Sequence, residues 1–174
     1  RVIELGQMVS APYCARLFAD YGADVTKVEP PEGDPSRRWG PFPGDEPHPE
    51  RSGLFEYLNT NKSGVVLDVD TEEGRERFLA LLGDVDILVE NQPPNLARHR
   101  RLDYANLEVQ FPELVVISIT PFGQTGPYSE WNGYDRYDFD FNGKPAIVVA
   151  PKQALPGKPW AWRGEFFGAF PNAD

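Results

Sequence analysis

The sequence predicts an α/β fold: an open, mainly parallel, doubly wound sheet of Rossmann-like type. Three observations point to it. Short apolar runs alternate with segments of helical period as far as Ile119. Glycines and small polar residues punctuate the changes of period. The first two apolar runs are joined by one helical segment, and a connection of that kind places the two strands side by side and parallel.

Taken in order, Val2-Ile3-Glu4-Leu5 reads as the first strand. Gly6 to Pro12 forms a turn, with Pro12 near the first helical position, where its missing N–H costs nothing. Cys14, Leu17, Phe18 and Tyr21 then recur at the spacing of one apolar helical face, and Gly22 ends the helix. Asp24 to Glu29 is a second strand. Pro30 to Ser52 is rich in Pro, Gly and charge and reads as a long loop, a length that in compact domains is usually functional. Gly64 to Val69 is a third strand. A capped helix starts at Asp70 to Glu73, shares a face through Phe78, Leu81 and Leu82, and stops at Gly83. Val85 to Val89 is the fourth strand, Asn91 to Asn95 a turn, Tyr104 to Val109 a short helical passage, and Leu114 to Ile119 the fifth strand. Beyond Tyr128 only Ala146 to Val149 stands out as a strand. The expected organisation is a sheet domain over 1–127 and an incomplete extension over 128–174. Both ends look cut, since Arg1 stands directly before a strand and Asp174 follows an apolar stretch.

Composition narrows the function. The 174 residues carry 27 acidic and 17 basic groups, a formal charge of −10, which opposes general attraction to nucleic acid or to anionic membrane. An anionic ligand must therefore be met by local groups. Cys14 is the one cysteine and the histidines, His48 and His99, are far apart, so no disulfide and no metal site is expected. With no signal peptide and no apolar run approaching membrane length, the expected compartment is the cytoplasm.

Ligands of open parallel sheets bind at the carboxyl ends of the strands. Here those ends are Gly6 to Pro12, Glu29 onward, Asp68 to Asp70, Asn91 to Pro94 and Thr120 to Gly126. Neither GxGxxG nor GxxxxGK[ST] occurs, so the usual dinucleotide and P-loop readings lose their support. On local chemistry alone Ser10 can start a helix, Asp68 and Asp70 can cap one, and Asn91 with two prolines can make a turn. Arg37 and Arg38 in the long loop can be solvated or can clamp a phosphate.

Four segments, 1–37, 58–78, 86–95 and 117–135, resemble in order and spacing the pattern of class III CoA-transferases, a group that includes formyl-CoA and carnitine CoA-transferases and the α-methylacyl-CoA racemases. The resemblance implies that acyl-CoA and a carboxylic acid are the substrates, with no permanently bound cofactor, and that the parent protein is an interlocked homodimer. It implies CoA contacts at Val9 and Ser10, at Leu67, Asp68, Val69 and Asp70, at Asn91, Gln92 and Pro93, and at Asn132, Gly133, Tyr134 and Asp135. It places an arginine near His99, with Arg98 as the substitute here, and Arg100-Arg101 stands where Leu-Gly is usual. The catalytic aspartate of the group, some 30 residues after the GYD-type motif, corresponds to Glu165. A carboxylate suits covalent acyl transfer as nucleophile and, once acylated, as acyl donor. The tail also fits a distant C-terminal strand of the family through GKPAIVV, in which case the middle of the chain is missing and the nucleophile is absent from this sequence. Tyr134 replaces the histidine of the racemases and, with a pKa near 10, is a poor base at neutral pH, which disfavours that activity. A catalytically inactive CoA-binding fragment is the alternative from another functional class.

Overall fold

A computed structural model of the chain describes residues 1–125, 129, 134–141 and 144–151. The chain divides into two compact units, Arg1–Glu130 and Trp131–Asp174.

In the first unit the strands are β1 (Val2–Leu5), β2 (Val25–Glu29), β3 (Ser63–Val66), β4 (Ile87–Glu90) and β5 (Val115–Ser118). They form one parallel sheet in the order β3-β2-β1-β4-β5. The order reverses between β1 and β4, so the carboxyl ends of these two strands open a crevice that connecting chain does not cross.

The helices are α1 (Ser10–Asp20), α2 (Gly53–Asn59), α3 (Glu72–Leu82), α4 (Pro94–His99) and α5 (Tyr104–Gln110). Alternation along β1 sends Val2 to the face covered by α1, where Ala11, Ala15, Ala19, Val25 and Val89 pack, and sends Ile3 and Leu5 to the other. That second face is closed by Phe78 and Leu82 of α3, Leu107 of α5, and Leu88, Leu102 and Leu114. Both faces are covered, as a doubly wound sheet requires.

Several expectations are corrected. The buried face of α1 is Ala11, Pro12, Ala15 and Ala19, whereas Leu17 is 43% and Tyr21 91% exposed. Small side chains let the helix lie close on the sheet: a Cβ on Gly6 would stand 2.3 Å from the Ala11 Cβ. The 30–52 stretch contains a one-turn helix, Pro35–Arg38, capped by Asp34, and a further turn at Pro43–Asp45. α2 follows it with Ser52 as N-cap. The segment read as a turn at Asn91 to Asn95 ends in α4, which Pro94 opens at its first helical position. In the second unit, β7 (Lys144–Pro151) pairs antiparallel with β6 (Tyr134–Phe141), a strand missed because Asp135, Asp138 and Asp140 depress its strand propensity.

Candidate functional site

A cavity of about 400 Å³ opens over the carboxyl ends of the first unit's strands, within the range of about 300–1,000 Å³ usual for small-molecule sites. Leu5, Gly6, Gln7 and Met8 line it from the end of β1, and Val28, Pro30 and Glu32 from β2. Leu67 to Asp70 come from beyond β3, and Asn91, Gln92, Pro93, Leu96 and Arg100 from β4 and α4.

The β1 turn is held from two sides. Gln7 donates its N–H to Asn91 Oδ1 at 2.9 Å, and Asn91 Nδ2 donates to Gln7 O at 2.8 Å and to Ser10 Oγ at 2.9 Å. That amide therefore bridges the two strands flanking the reversal point. Met8, at φ 62, sits in the left-handed region, and its N–H donates to Asp34 Oδ1 at 3.1 Å.

Asp34 belongs to a buried charge network. Lys27 Nζ lies 2.7 Å from Glu4 Oε1 and 2.8 Å from Asp34 Oδ2, and it donates to Gly6 O at 2.9 Å. Lys62 Nζ lies 2.6 Å from the other Glu4 oxygen and also donates to Pro12 O at 2.7 Å. Among the described residues Asp34 Oδ2 accepts no well-aligned hydrogen bond, and the charge of Lys27 at 2.8 Å is what faces it. Burial pushes the Asp34 carboxyl up, but Lys27 and the hydrogen bonds from Ser36 outweigh it and hold it below its ordinary range. Outside this cluster, Arg37 grips Glu29 through two bonds of 2.8 Å and stacks 3.6 Å from the Phe55 ring centre, so its guanidinium ties the long loop to β2.

On the opposite wall Asp68 Oδ1 accepts from the Asp70 N–H at 3.0 Å. Asp70 accepts two bonds of 2.7 Å from Arg100, Nε to Oδ1 and Nη2 to Oδ2, and Arg100 Nη1 donates to Gln92 Oε1. Those bonds, with the charges of Arg100, His99 and Arg75, hold the Asp70 carboxyl below its ordinary range. Beneath this wall Glu90 is buried and its Oε2 accepts from the Gln92 N–H at 2.6 Å. Burial raises the Glu90 carboxyl despite the hydrogen bonds it accepts from Ser118 and Gln92.

The structure thus brings together Leu67, Asp68, Val69, Asp70, Asn91, Gln92 and Pro93 around one cavity. Val9 and Ser10 stand beside it without lining it, Ser10 joined through Asn91. Arg98 and His99 are exposed and outside its lining. Tyr134 and Asp135 lie in β6 of the second unit, and Asn132, Gly133 and Glu165 fall outside the described residues. Arg100 is the charged lining residue that sequence reasoning missed. The replacement of Leu-Gly by Arg100-Arg101 was its signal, and Arg101 at φ 56 occupies the conformation a glycine would favour. Among the described residues no group of three His, Cys, Asp or Glu side chains is placed to hold a metal. None of their helices is long and apolar enough to cross a membrane.

A model of CoA-transferase family III matches residues 1–161. A succinate–glutarate CoA-transferase of Agrobacterium fabrum is 42% identical over 155 residues, 87% of this chain and 38% of that protein. A cinnamoyl-CoA:phenyllactate CoA-transferase of Clostridium sporogenes is 34% identical over 156 residues, 90% of this chain and 38% of that protein. The chain therefore spans 38% of the length of each of these two relatives. The crystal structure of a CAIB/BAIF family protein from Brucella suis superposes with a TM-score of 0.68 at 39% identity, covering 77% of this chain and 35% of that one.

Proposed function

The chain belongs to CoA-transferase family III, and from that premise we propose that its parent protein moves coenzyme A from an acyl-CoA thioester to a carboxylic acid. The observation that carries the proposal is the cavity at the strand-order reversal, lined by two of the segments where the family pattern puts its CoA contacts, Leu67 to Asp70 and Asn91 to Pro93. Both relatives are named for CoA transfer involving carboxylic acids or their thioesters.

In this reading Leu67 to Asp70 and Asn91 to Pro93 contact CoA, Val9 and Ser10 flank it, and Asn132 to Asp135 complete the contacts. Arg98 and His99 serve the rim. Glu165 supplies the nucleophile. Its carboxylate attacks the thioester carbonyl, the C–S bond breaks, and CoA thiolate leaves a mixed anhydride of Glu165 and the acyl group. The thiolate attacks the Glu165 carbonyl, releasing the first acid and leaving a Glu165–CoA thioester. The acceptor carboxylate then attacks that thioester to form a second anhydride, and thiolate attack on its acyl carbon releases the new acyl-CoA and restores Glu165. No oxidant or proton donor is consumed. The parent protein works as an interlocked homodimer in the cytoplasm, with the acyl group selected outside the sheet domain.

The test is exchange: the protein is mixed with an acyl-CoA and an isotope-labelled carboxylic acid, and label is followed into the CoA thioester. Label transfer that disappears in Glu165→Gln supports the whole scheme. Transfer that survives the substitution removes Glu165 from it, and saturable CoA binding without transfer on any acid pair favours a CoA-binding protein that does not turn over.

A further inference from the structure

The cavity wall poses an electrostatic problem for any phosphate-bearing ligand. Three carboxylates, Glu32, Asp68 and Asp70, line it, and among the described residues Arg100 is its one cationic lining group. In a chain of charge −10 no diffuse positive field makes up the difference. Yet Arg100 is turned inward with its side chain only 16% exposed, and its guanidinium is set in a two-pronged pair with Asp70. Carboxylate and phosphate occupy that fork in the same way, through two parallel N–H···O bonds.

The two halves of the pair differ in how firmly they are held. Arg100 is also anchored by Gln92 Oε1, whereas the Asp70 side chain is 61% exposed, the setting in which an ion pair contributes least. Independently, Gln92 is 92% buried (8% exposed) and lines the cavity, and its Nε2 has no acceptor among the described residues. Buried amide donors are nearly always paired, with protein or with water, so this one is left to solvent in the cavity or to an acceptor that a ligand brings in its place.

Resting on the CoA reading of the cavity, we propose that Arg100 is the phosphate-binding residue of this site, with Gln92 Nε2 as a second donor, and that Asp70 is a stand-in anion which a ligand phosphate displaces from the guanidinium. Asp70 then keeps the fork oriented while the site is empty and weakens binding by competing with the ligand. Arg100 and Asp70 thereby act on affinity with opposite signs, which a purely structural ion pair cannot do. The phosphate concerned is the 3′-monoester or the diphosphate of CoA; both present the same oxygens to the fork.

The experiment is calorimetric titration of the full protein with CoA and with 3′-dephospho-CoA, using the unmodified protein, Arg100→Gln, Arg100→Lys and Asp70→Asn, each first checked by thermal melting. The expected result is a loss in CoA affinity of about tenfold or more for Arg100→Gln and a smaller loss for Arg100→Lys, which keeps charge but not the fork. Asp70→Asn should tighten CoA severalfold. If the 3′-phosphate is the partner, the Arg100→Gln loss vanishes with dephospho-CoA; if the diphosphate is, the loss is the same for both ligands. Should Arg100→Gln prove unfolded, the Lys and Asn variants still give opposite signs. Asp70→Asn weakening CoA in parallel with the Arg100 variants, or unchanged affinity in all of them, would overturn the inference while leaving the CoA reading intact. No CoA binding by the unmodified protein would overturn both.

Discussion

Lys27→Met isolates the role of the buried network behind the β1 turn. Lys27 is 2% exposed and the carboxylates it faces, Glu4 and Asp34, are 0% and 1% exposed. Methionine keeps the length of the stem and removes the ammonium, so Asp34 loses its cation and the Gly6 carbonyl loses its donor. Glu4 keeps Lys62 at 2.6 Å, which limits the damage to one uncompensated carboxylate. Breaking a buried pair by removing one partner costs about 3–5 kcal/mol, a large share of a total stability of about 5–15 kcal/mol. At about 2–4 °C per kcal/mol for a chain of this size, the melting temperature should fall by about 6–20 °C. The pH dependence supplies a second, independent readout. Asp34 has a depressed carboxyl in the folded state, so its stabilisation is present above the unfolded carboxylate range and is lost as pH falls through the lower folded value. The gap between the unmodified protein and Lys27→Met should therefore narrow in acid. Thermal and urea melts from neutral pH down to the acid limit of folding test this, and a loss below about 1 kcal/mol at neutral pH, or a gap that widens in acid, would refute the reasoning.

Other perturbations follow from the same geometry. Arg101→Gly should raise stability by about 1 kcal/mol in urea melts, since Arg101 is held at φ 56, where a side chain costs about 1–2 kcal/mol and glycine does not, less the extra chain entropy glycine loses. Gly6→Ala should destabilise by about 1–3 kcal/mol, because its Cβ would stand 2.3 Å from that of Ala11, and the displaced turn should also weaken CoA binding in calorimetry. Glu90 has a raised carboxyl, so the folded state holds a proton that the unfolded state releases, and stability should fall as pH rises from the ordinary carboxylate value through the raised one. Glu90→Gln, which keeps an acceptor for the Gln92 N–H but cannot ionise, should lose that slope and be the more stable of the two at neutral pH.

Much of the sheet domain was legible in the sequence because its signals are local. Val2 to Leu5 and Val85 to Val89, the latter observed as Ile87–Glu90, are short apolar runs bounded by turn residues, Gly22 and Gly83 mark helix ends, and the parallel pairing of β1 and β2 follows from the single helix between them. The face of α1 was not legible, since periodicity weighs Leu17 and Tyr21 above Ala11 and Ala15, while the sheet selects the side that lets the helix approach. α2 and α4 are seven and six residues long and start on local devices, the Ser52 cap of α2 and Pro94 at the first position of α4, rather than on an apolar stripe of their own. At the site, the turns could be named from strand ends and from the family pattern, but what their side chains do could not. Asn91 faces the β1 turn as much as the cavity, and Arg100 enters because α4 ends beside Asp70, thirty residues earlier in the chain.

The central claim is that CoA lies over the carboxyl ends of β1, β3 and β4, and hydrogen–deuterium exchange of the parent protein with and without CoA measures this most directly. The account predicts slowed exchange concentrated in peptides covering 5–10, 67–70 and 91–100. Saturable CoA binding with no protection in any of these segments would contradict it.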